Sequence, residues 1–182
     1  MNKHAKLVKW DEYNIGHLTL PVPLLGRDVP FELMVTKTPP VVSPKMWRAV
    51  EQVLALPQTD IAKVADLLWE EANFAFTVVD FGVQAREGET ALQAHLRAFG
   101  VANPQDALKK ATVKAVQILQ ENDEFDGLYA EIQINTVTDS MISIIIKDGV
   151  IVDFDDDGCW LGDYDDNPNE ARDARKAVLA AR

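Results

Sequence analysis

The feature that most constrains this chain is a pair of apolar segments joined by Asp148-Gly149. Met141 to Ile146 is almost wholly apolar, and Val150 to Phe154 follows the dipeptide. Asp-Gly between two such runs is a strong signal for a two-residue β-hairpin turn, because both turn positions need a positive φ. An apolar strand with almost no alternation is typical of a strand buried on both faces. The sequence therefore predicts a central hairpin with strands over 140–147 and 150–155.

Further strands are predicted on both sides of the middle of the chain. A strand over 127–136 has one apolar and one polar face, because apolar and polar residues alternate along it. Near the N-terminus, Leu18 to Leu24 also alternates, and Gly26-Arg27-Asp28 marks a turn toward a partner strand over Phe31 to Thr36. Two prolines inside the segment from Leu18 to Leu24 favour an edge strand or an irregular one.

Helix signals fill the middle and the end of the chain. Helix starts are predicted at four sites where a capping residue is followed by proline or by an acidic residue. These are Ser43-Pro44, Thr59-Asp60, Asn103-Pro104 and Asn167-Pro168. A short helix is also predicted from Thr90 to Phe99, ending at Gly100. The helix after Asn103 is predicted to reach about Asn122, and the last one the C-terminus. The order of strands, helices, strands and helix predicts an α+β fold, with an antiparallel sheet and helices packed on one face, as a single domain over 1–182.

Charge and cysteine content limit the partners and the compartment. The formal charge is −11, and a surface this acidic repels nucleic-acid phosphates and anionic lipid. Cys159 is the only cysteine, which is typical of a reducing compartment, and no apolar run approaches the roughly 20 residues of a membrane-spanning helix. The N-terminus lacks the apolar stretch of a signal peptide. We therefore expect a cytoplasmic protein that binds neither nucleic acid nor membranes.

The most unusual segment is 153–166, in which seven of 14 residues are aspartate. Asp153, Asp155, Asp157 and Gly158 match the first half of a calcium-binding loop, D-x-D-x-D-G. The second half departs from that pattern, because the bidentate glutamate of loop position 12 is replaced by Tyr164. A calcium-binding or purely structural loop remains an alternative to the next interpretation.

That interpretation treats the same segment as a binding surface for a basic protein. Carboxylates steer a basic partner toward the surface, and aromatic side chains anchor it there. Trp160 and Tyr164 could equally face the core, because indole and phenol rings usually find burial. The predicted partner-binding residues are Asp155, Asp156, Asp157, Trp160, Asp163 and Tyr164.

No catalytic, cofactor or metal site is predicted. His4, His17 and His95 lie far apart in the sequence, without metal-ligand spacing, and each is expected at the surface. Cys159 is expected to be an inert thiol. The chain has no phosphate-binding loop, dinucleotide-binding motif or nucleophile elbow. An enzyme using a pair of its many carboxylates is the least favoured of the three classes.

The layout resembles that of small acidic bacterial proteins of the polymorphic-toxin immunity type. The features that carry the resemblance are the opening strands with Trp10 and Gly16, the helical middle, and the ending from Phe154 to Tyr164. The resemblance implies a non-enzymatic protein that neutralises a basic bacterial effector, such as a nuclease toxin, by covering its active site. It implies no residue-by-residue assignment, because such families share no universal functional residue.

Overall fold

A computed structural model of the chain describes residues 2–167 and 169–180. Within these residues the strands are β1 (Lys9–Trp10), β2 (Ile15–Val22), β3 (Arg27–Met34), β4 (Thr112–Leu119), β5 (Tyr129–Asn135), β6 (Met141–Lys147) and β7 (Val150–Asp156). The helices are α1 (Pro44–Ala55), α2 (Ile61–Val78), α3 (Ala91–Phe99), α4 (Pro104–Lys110), α5 (Gly162–Asp166) and α6 (Glu170–Ala180).

The described strands form one sheet in which spatial order follows chain order, from β1 to β7. All neighbouring strands are antiparallel except β3 and β4, which are parallel. A parallel pair needs a long crossover, and here α1 to α4 provide it. The predicted α+β fold with a mainly antiparallel sheet is confirmed, as are the three predicted C-terminal strands.

The core lies between one face of the sheet and the helices. Alternation along β2 buries Leu18, Leu20 and Val22 on the covered face, while His17 and Thr19 are exposed on the other. The covered face packs against Met46, Val50 and Val53 of α1 and Val64 and Leu68 of α2. We call the opposite side of the sheet the open face. Its β5–β7 end carries a small second cluster formed by Tyr129, Ile145, Leu161 and Tyr164.

Two predictions about the middle of the chain are wrong. The helix after Asn103 ends at Lys110 instead of continuing to about Asn122, and Thr112–Leu119 is strand β4 in the centre of the sheet. His95 is not at the surface: it is 3% exposed, its Nδ1 donates to the Phe76 carbonyl (3.0 Å), and its Nε2 accepts from the Phe81 amide (3.4 Å).

The helix starts are otherwise close to expectation. The side chains of Ser43, Thr90 and Asn103 accept hydrogen bonds from backbone amides in the first turns of α1, α3 and α4. The second helix, α2, continues without a break from Ile61 to Val78. The predicted helix start at Pro168 and the end of the last helix at 181–182 lie outside the described residues; α6 itself begins at Glu170.

Candidate functional site

The acidic segment folds back from the sheet edge onto the open face. Strand β7 ends at Asp156, and Gly158 makes a tight turn with a φ of +79°. The chain then passes into α5, where Leu161 and Tyr164 pack against Tyr129 and Ile145. These apolar contacts hold the acidic segment against the β5–β7 end of the sheet.

The three aspartates of this segment that are at least partly buried have structural partners. Asp153 is fully buried and pairs with Arg175 of α6, which also donates to the Phe154 carbonyl (3.1 Å). Asp155 accepts a hydrogen bond from the Tyr164 hydroxyl (2.8 Å). Asp165 accepts bonds from the Asp126 amide (2.9 Å), the Gly127 amide (3.2 Å) and the Tyr129 hydroxyl (2.9 Å), and it pairs with Lys147 (3.3 Å).

The contacts of Asp165 also set its ionisation. Burial alone raises the pKa of this carboxyl, but the hydrogen bonds from Asp126, Tyr129, Gly127 and Lys147 together lower it to about 2. Asp165 is therefore charged at neutral pH, and it ties α5 to the loop that precedes β5.

The other four aspartates are exposed. Asp157 accepts a hydrogen bond from the Gln133 side chain. The side chains of Asp156, Asp163 and Asp166 make no hydrogen bond or ion pair with another described residue. All three side chains are exposed, Asp156 at the end of β7 and Asp163 and Asp166 on α5.

The two aromatic residues that the sequence left undecided have opposite environments. The Trp160 side chain is 56% exposed; its indole lies over Gly162 and packs edge-to-face against Phe125, with ring centroids 6.4 Å apart. Tyr164 is 2% exposed, because its ring is buried between the acidic segment and the sheet. Of the six predicted partner-binding residues, Asp156, Asp157, Trp160 and Asp163 lie on the surface, Asp155 is half-buried, and Tyr164 is in the second cluster.

A cavity that the sequence did not predict opens beside the acidic turn. It has a volume of about 330 Å³ and is lined by residues of β3, β4 and β5 together with 157–160. On its β5 side are Glu131 and Gln133, which belong to the polar face that alternation predicted for this strand. The alternation of apolar and polar residues indicated that Glu131 and Gln133 share a face of the strand. Nothing in the sequence indicated that the acidic turn would enclose that face.

Glu131 is the most buried acid in this cavity. It is 1% exposed, and its Oε2 accepts a hydrogen bond from the Ser143 hydroxyl (2.6 Å). Burial raises the pKa of Glu131 to about 7; Ser143 opposes the rise, and Asp157, Glu121 and Asp155 add to it. With a pKa near 7, Glu131 is only partly ionised at neutral pH, and the carboxylates of Asp157, Glu121 and Asp155 lie near it.

The cavity continues into a second one across the open face. The two share Met34, Leu119 and Glu121, and the second, of about 580 Å³, extends to Tyr13, which is largely exposed. Ile15, Met34 and Leu119 lie side by side on neighbouring strands, so they form an apolar strip. Exposed aromatic rings, Tyr13 and Trp160, therefore stand at the two ends of a groove with acidic groups beside it.

Potential metal ligands and nucleophiles lie in separate places. His17 contacts Asp11 (2.9 Å), His4 lies near Glu51 (3.9 Å), and His95 is buried with Phe76 and Phe81. Burial raises the pKa of the half-buried Cys159, and nearby carboxylates raise it further, so its thiol is neutral. Among residues 2–167 and 169–180, no group of three or more His, Cys, Asp or Glu side chains is arranged to hold a metal ion.

The alternating aspartates that match half of a calcium loop are engaged by different groups. Asp153 pairs with Arg175, Asp155 accepts from Tyr164, and Asp157 accepts from Gln133. Each side chain is thus directed to a different partner.

No helix in the described part of the chain is long and apolar enough to cross a membrane. Comparison with protein-family models, with curated proteins and with solved structures gives no match to this chain.

Proposed function

We propose that this chain is a non-enzymatic binding protein whose acidic segment and adjoining open face bind a basic protein. The observation that carries the proposal is the exposed indole of Trp160, which lies in the same segment as the exposed carboxylates of Asp156, Asp157 and Asp163. Aromatic anchors within a charged rim are typical of protein interfaces. A solubility device would need the carboxylates but not the indole.

The mechanism has two steps with different physical origins. The carboxylates steer a basic partner toward the surface, which raises the association rate at low ionic strength. Burial of the Trp160 indole and of the apolar strip at Ile15, Met34 and Leu119 then slows dissociation.

The partner class follows from the same surface and from the resemblance in layout. A basic bacterial effector, such as a nuclease toxin, has a cationic active site suited to nucleic acid. An acidic protein that covers this site would compete with the nucleic acid and neutralise the effector. In this proposal the protein acts as an immunity protein in the cytoplasm, where a single unpaired cysteine is ordinary.

The test is affinity capture from cells of the source organism with matched charge variants. One variant carries Asp156→Asn, Asp163→Asn and Asp166→Asn, which remove exposed carboxylates that make no side-chain hydrogen bond to another described residue. The control carries Asp28→Asn, Asp66→Asn and Glu87→Gln at exposed positions elsewhere. Both change the net charge from −11 to −8 (−11 + 3).

The proposal expects a basic protein that is retained by wild type and by the control at low salt, and that is lost from the acidic-segment variant. Adding the purified chain should then inhibit the toxic or nuclease activity of the captured protein. Equal capture by both variants, or capture with no inhibition, would contradict the proposal. Trp160→Ala should release the partner faster while changing the association rate little.

A further inference from the structure

The cavity below the acidic turn presents an unusual set of hydrogen-bonding groups. The Gln133 side chain uses its amino group to donate to Asp157, and the Gln117 side chain uses its amino group to donate to Glu32 (3.0 Å). In both amides the carbonyl oxygen accepts no hydrogen bond from another described residue. Both side chains line the cavity, so each brings an acceptor to it and has its donors engaged elsewhere.

Glu131 adds an acceptor that the fold leaves unused. This side chain is almost completely buried, yet only Oε2 has a partner, the Ser143 hydroxyl. Its Oε1 accepts no hydrogen bond from any described residue, and Glu131 lines the cavity. An acceptor oxygen that lines a cavity and has no protein donor is open to a ligand with N–H groups.

The remaining walls indicate the shape and charge of the ligand. Carboxylates of Asp157 and Glu121 lie on the rim, the Trp160 indole stands beside them, and Leu119 supplies an apolar side. An arginine guanidinium is planar, carries five donors and no acceptor, and stacks on aromatic rings. A lysine ammonium is a compact, strongly hydrated charge without a planar face. It therefore matches acceptors beside an indole less well than a guanidinium does.

We infer that this cavity is a binding site for a guanidinium group, and that it receives an arginine side chain of the partner. This inference rests on the proposed function for the identity of the ligand's carrier, but not for the chemistry of the site. Arginine donates to Glu131 and to the two amide oxygens, while its aliphatic stem passes Leu119 and its plane lies against Trp160.

The site can be tested with the isolated chain and small probes. The probes are N-acetyl-arginine amide, its neutral isostere N-acetyl-citrulline amide, and calcium chloride. NMR would follow the side-chain carboxyl carbon of Glu131 and the indole N–H of Trp160. The variants are Glu131→Gln, which keeps the shape, and Trp160→Ala at the exposed rim. Glu87→Gln removes one exposed charge far from the acidic segment in sequence and serves as the control.

Arginine amide should shift both resonances saturably, with a dissociation constant in the millimolar range, about what a single charged side chain achieves. Citrulline amide should bind at least about tenfold more weakly, since the urea loses the charge-assisted bonds. Glu131→Gln should weaken arginine binding by about tenfold and Trp160→Ala by several-fold, while Glu87→Gln should retain it. Bound arginine should also lower the Glu131 pKa from about 7.

Citrulline binding as tight as arginine binding would overturn the inference, as would unchanged arginine binding to Glu131→Gln. Calcium producing the same shifts at the same concentration would identify a cation site instead and would also overturn it. These outcomes need no partner, so they are separate from the fate of the proposed function. If arginine amide does not bind in the cavity but the capture experiment succeeds, the acidic segment binds its partner without using this cavity.

Discussion

Single residues of the acidic segment differ in what their carboxylates contact. Asp153 and Asp165 are held by basic groups or backbone amides, whereas Asp163 and Asp166 face solvent. The sequence could indicate the charge density but not this division, because 157–166 follows no regular alternation. The same limit applies to Trp160 and Tyr164, whose environments depend on how α5 folds over Gly162 and Tyr129.

Asp165→Asn should destabilise the protein by about 1–3 kcal/mol. The substitution weakens the charge-assisted hydrogen bonds to the Asp126 and Gly127 amides and removes the ion pair with Lys147. Because the folded-state pKa is depressed to about 2, this contribution is present above about pH 4 and is lost as the pH falls toward 2. Urea unfolding at pH 7 measures the difference. Asp163→Asn, at an exposed position, should change stability by less than about 0.5 kcal/mol.

Glu71→Gln should stabilise the protein at pH 8. Burial raises the pKa of Glu71 to about 7; the Thr136 and Thr138 hydroxyls oppose the rise and Asp156 adds to it. Its raised pKa means that folded protein binds more protons than unfolded protein between about pH 4.5 and 7, so stability falls as the pH rises through this window. Glutamine does not titrate and should reduce the fall by roughly 1–3 kcal/mol.

Unfolding curves at pH 5 and pH 8 check this expectation. Glu87→Gln, at an exposed position, provides the control and should keep the wild-type pH dependence. A Glu71→Gln protein whose stability falls as steeply as that of wild type would show that burial of Glu71 does not control the pH response.

At the scale of elements, the strands around Asp148-Gly149 were predictable because turn chemistry and apolar pattern agreed. Strand β4 was not. Ala107, Ala111, Ala115 and Ile118 fit a helical period, and a register shift between Val113 and Ala115 breaks the strand's own alternation. The β-branched residues of 112–118 favour a strand, and pairing with both β3 and β5 decides the outcome. Long-range pairing of this kind is not visible in a local pattern.

Helix α6 is attached to β7 by Arg172, which donates to the Val152 carbonyl, and by the buried ion pair of Arg175 with Asp153, which should contribute most. Arg175 contacts Asp153, Glu70 (3.3 Å) and the ring of Phe154 (4.0 Å from guanidinium carbon to centroid). Arg175→Met should cost about 3–5 kcal/mol, because the buried carboxylate of Asp153 loses its main partner.

Thermal or urea unfolding measures this cost, with Lys176→Ala on the same helix as the control at an exposed position. Combining Arg175→Met with Asp153→Asn should recover part of the loss, since no buried charge is then left unpaired. A double variant no more stable than Arg175→Met alone would indicate that the packing of Arg175, and not its charge, fastens the helix.

At the scale of the whole molecule, one face of the sheet is closed by helices and the other carries a groove bordered by acidic groups. Asp157, Trp160 and the apolar strip line the same groove because β7 and α5 bring the acidic segment back over β5 and β6. The sequence predicted the fold class and singled out the acidic segment, but it left open whether Trp160 and Tyr164 face solvent or the core. It could not predict the groove, which is assembled from strands that are distant along the chain.

The central claim, that the acidic segment steers a basic partner to this face, is tested most directly by stopped-flow association with the captured partner. Rates are compared at roughly 10 mM and roughly 300 mM salt, where screening lengths differ by several-fold. At low salt the Asp156→Asn, Asp163→Asn, Asp166→Asn variant should associate about tenfold more slowly than wild type, and the Asp28→Asn, Asp66→Asn, Glu87→Gln control should stay close to wild type. At high salt the three rates should converge. Equal low-salt rates for wild type and the acidic-segment variant would contradict the account.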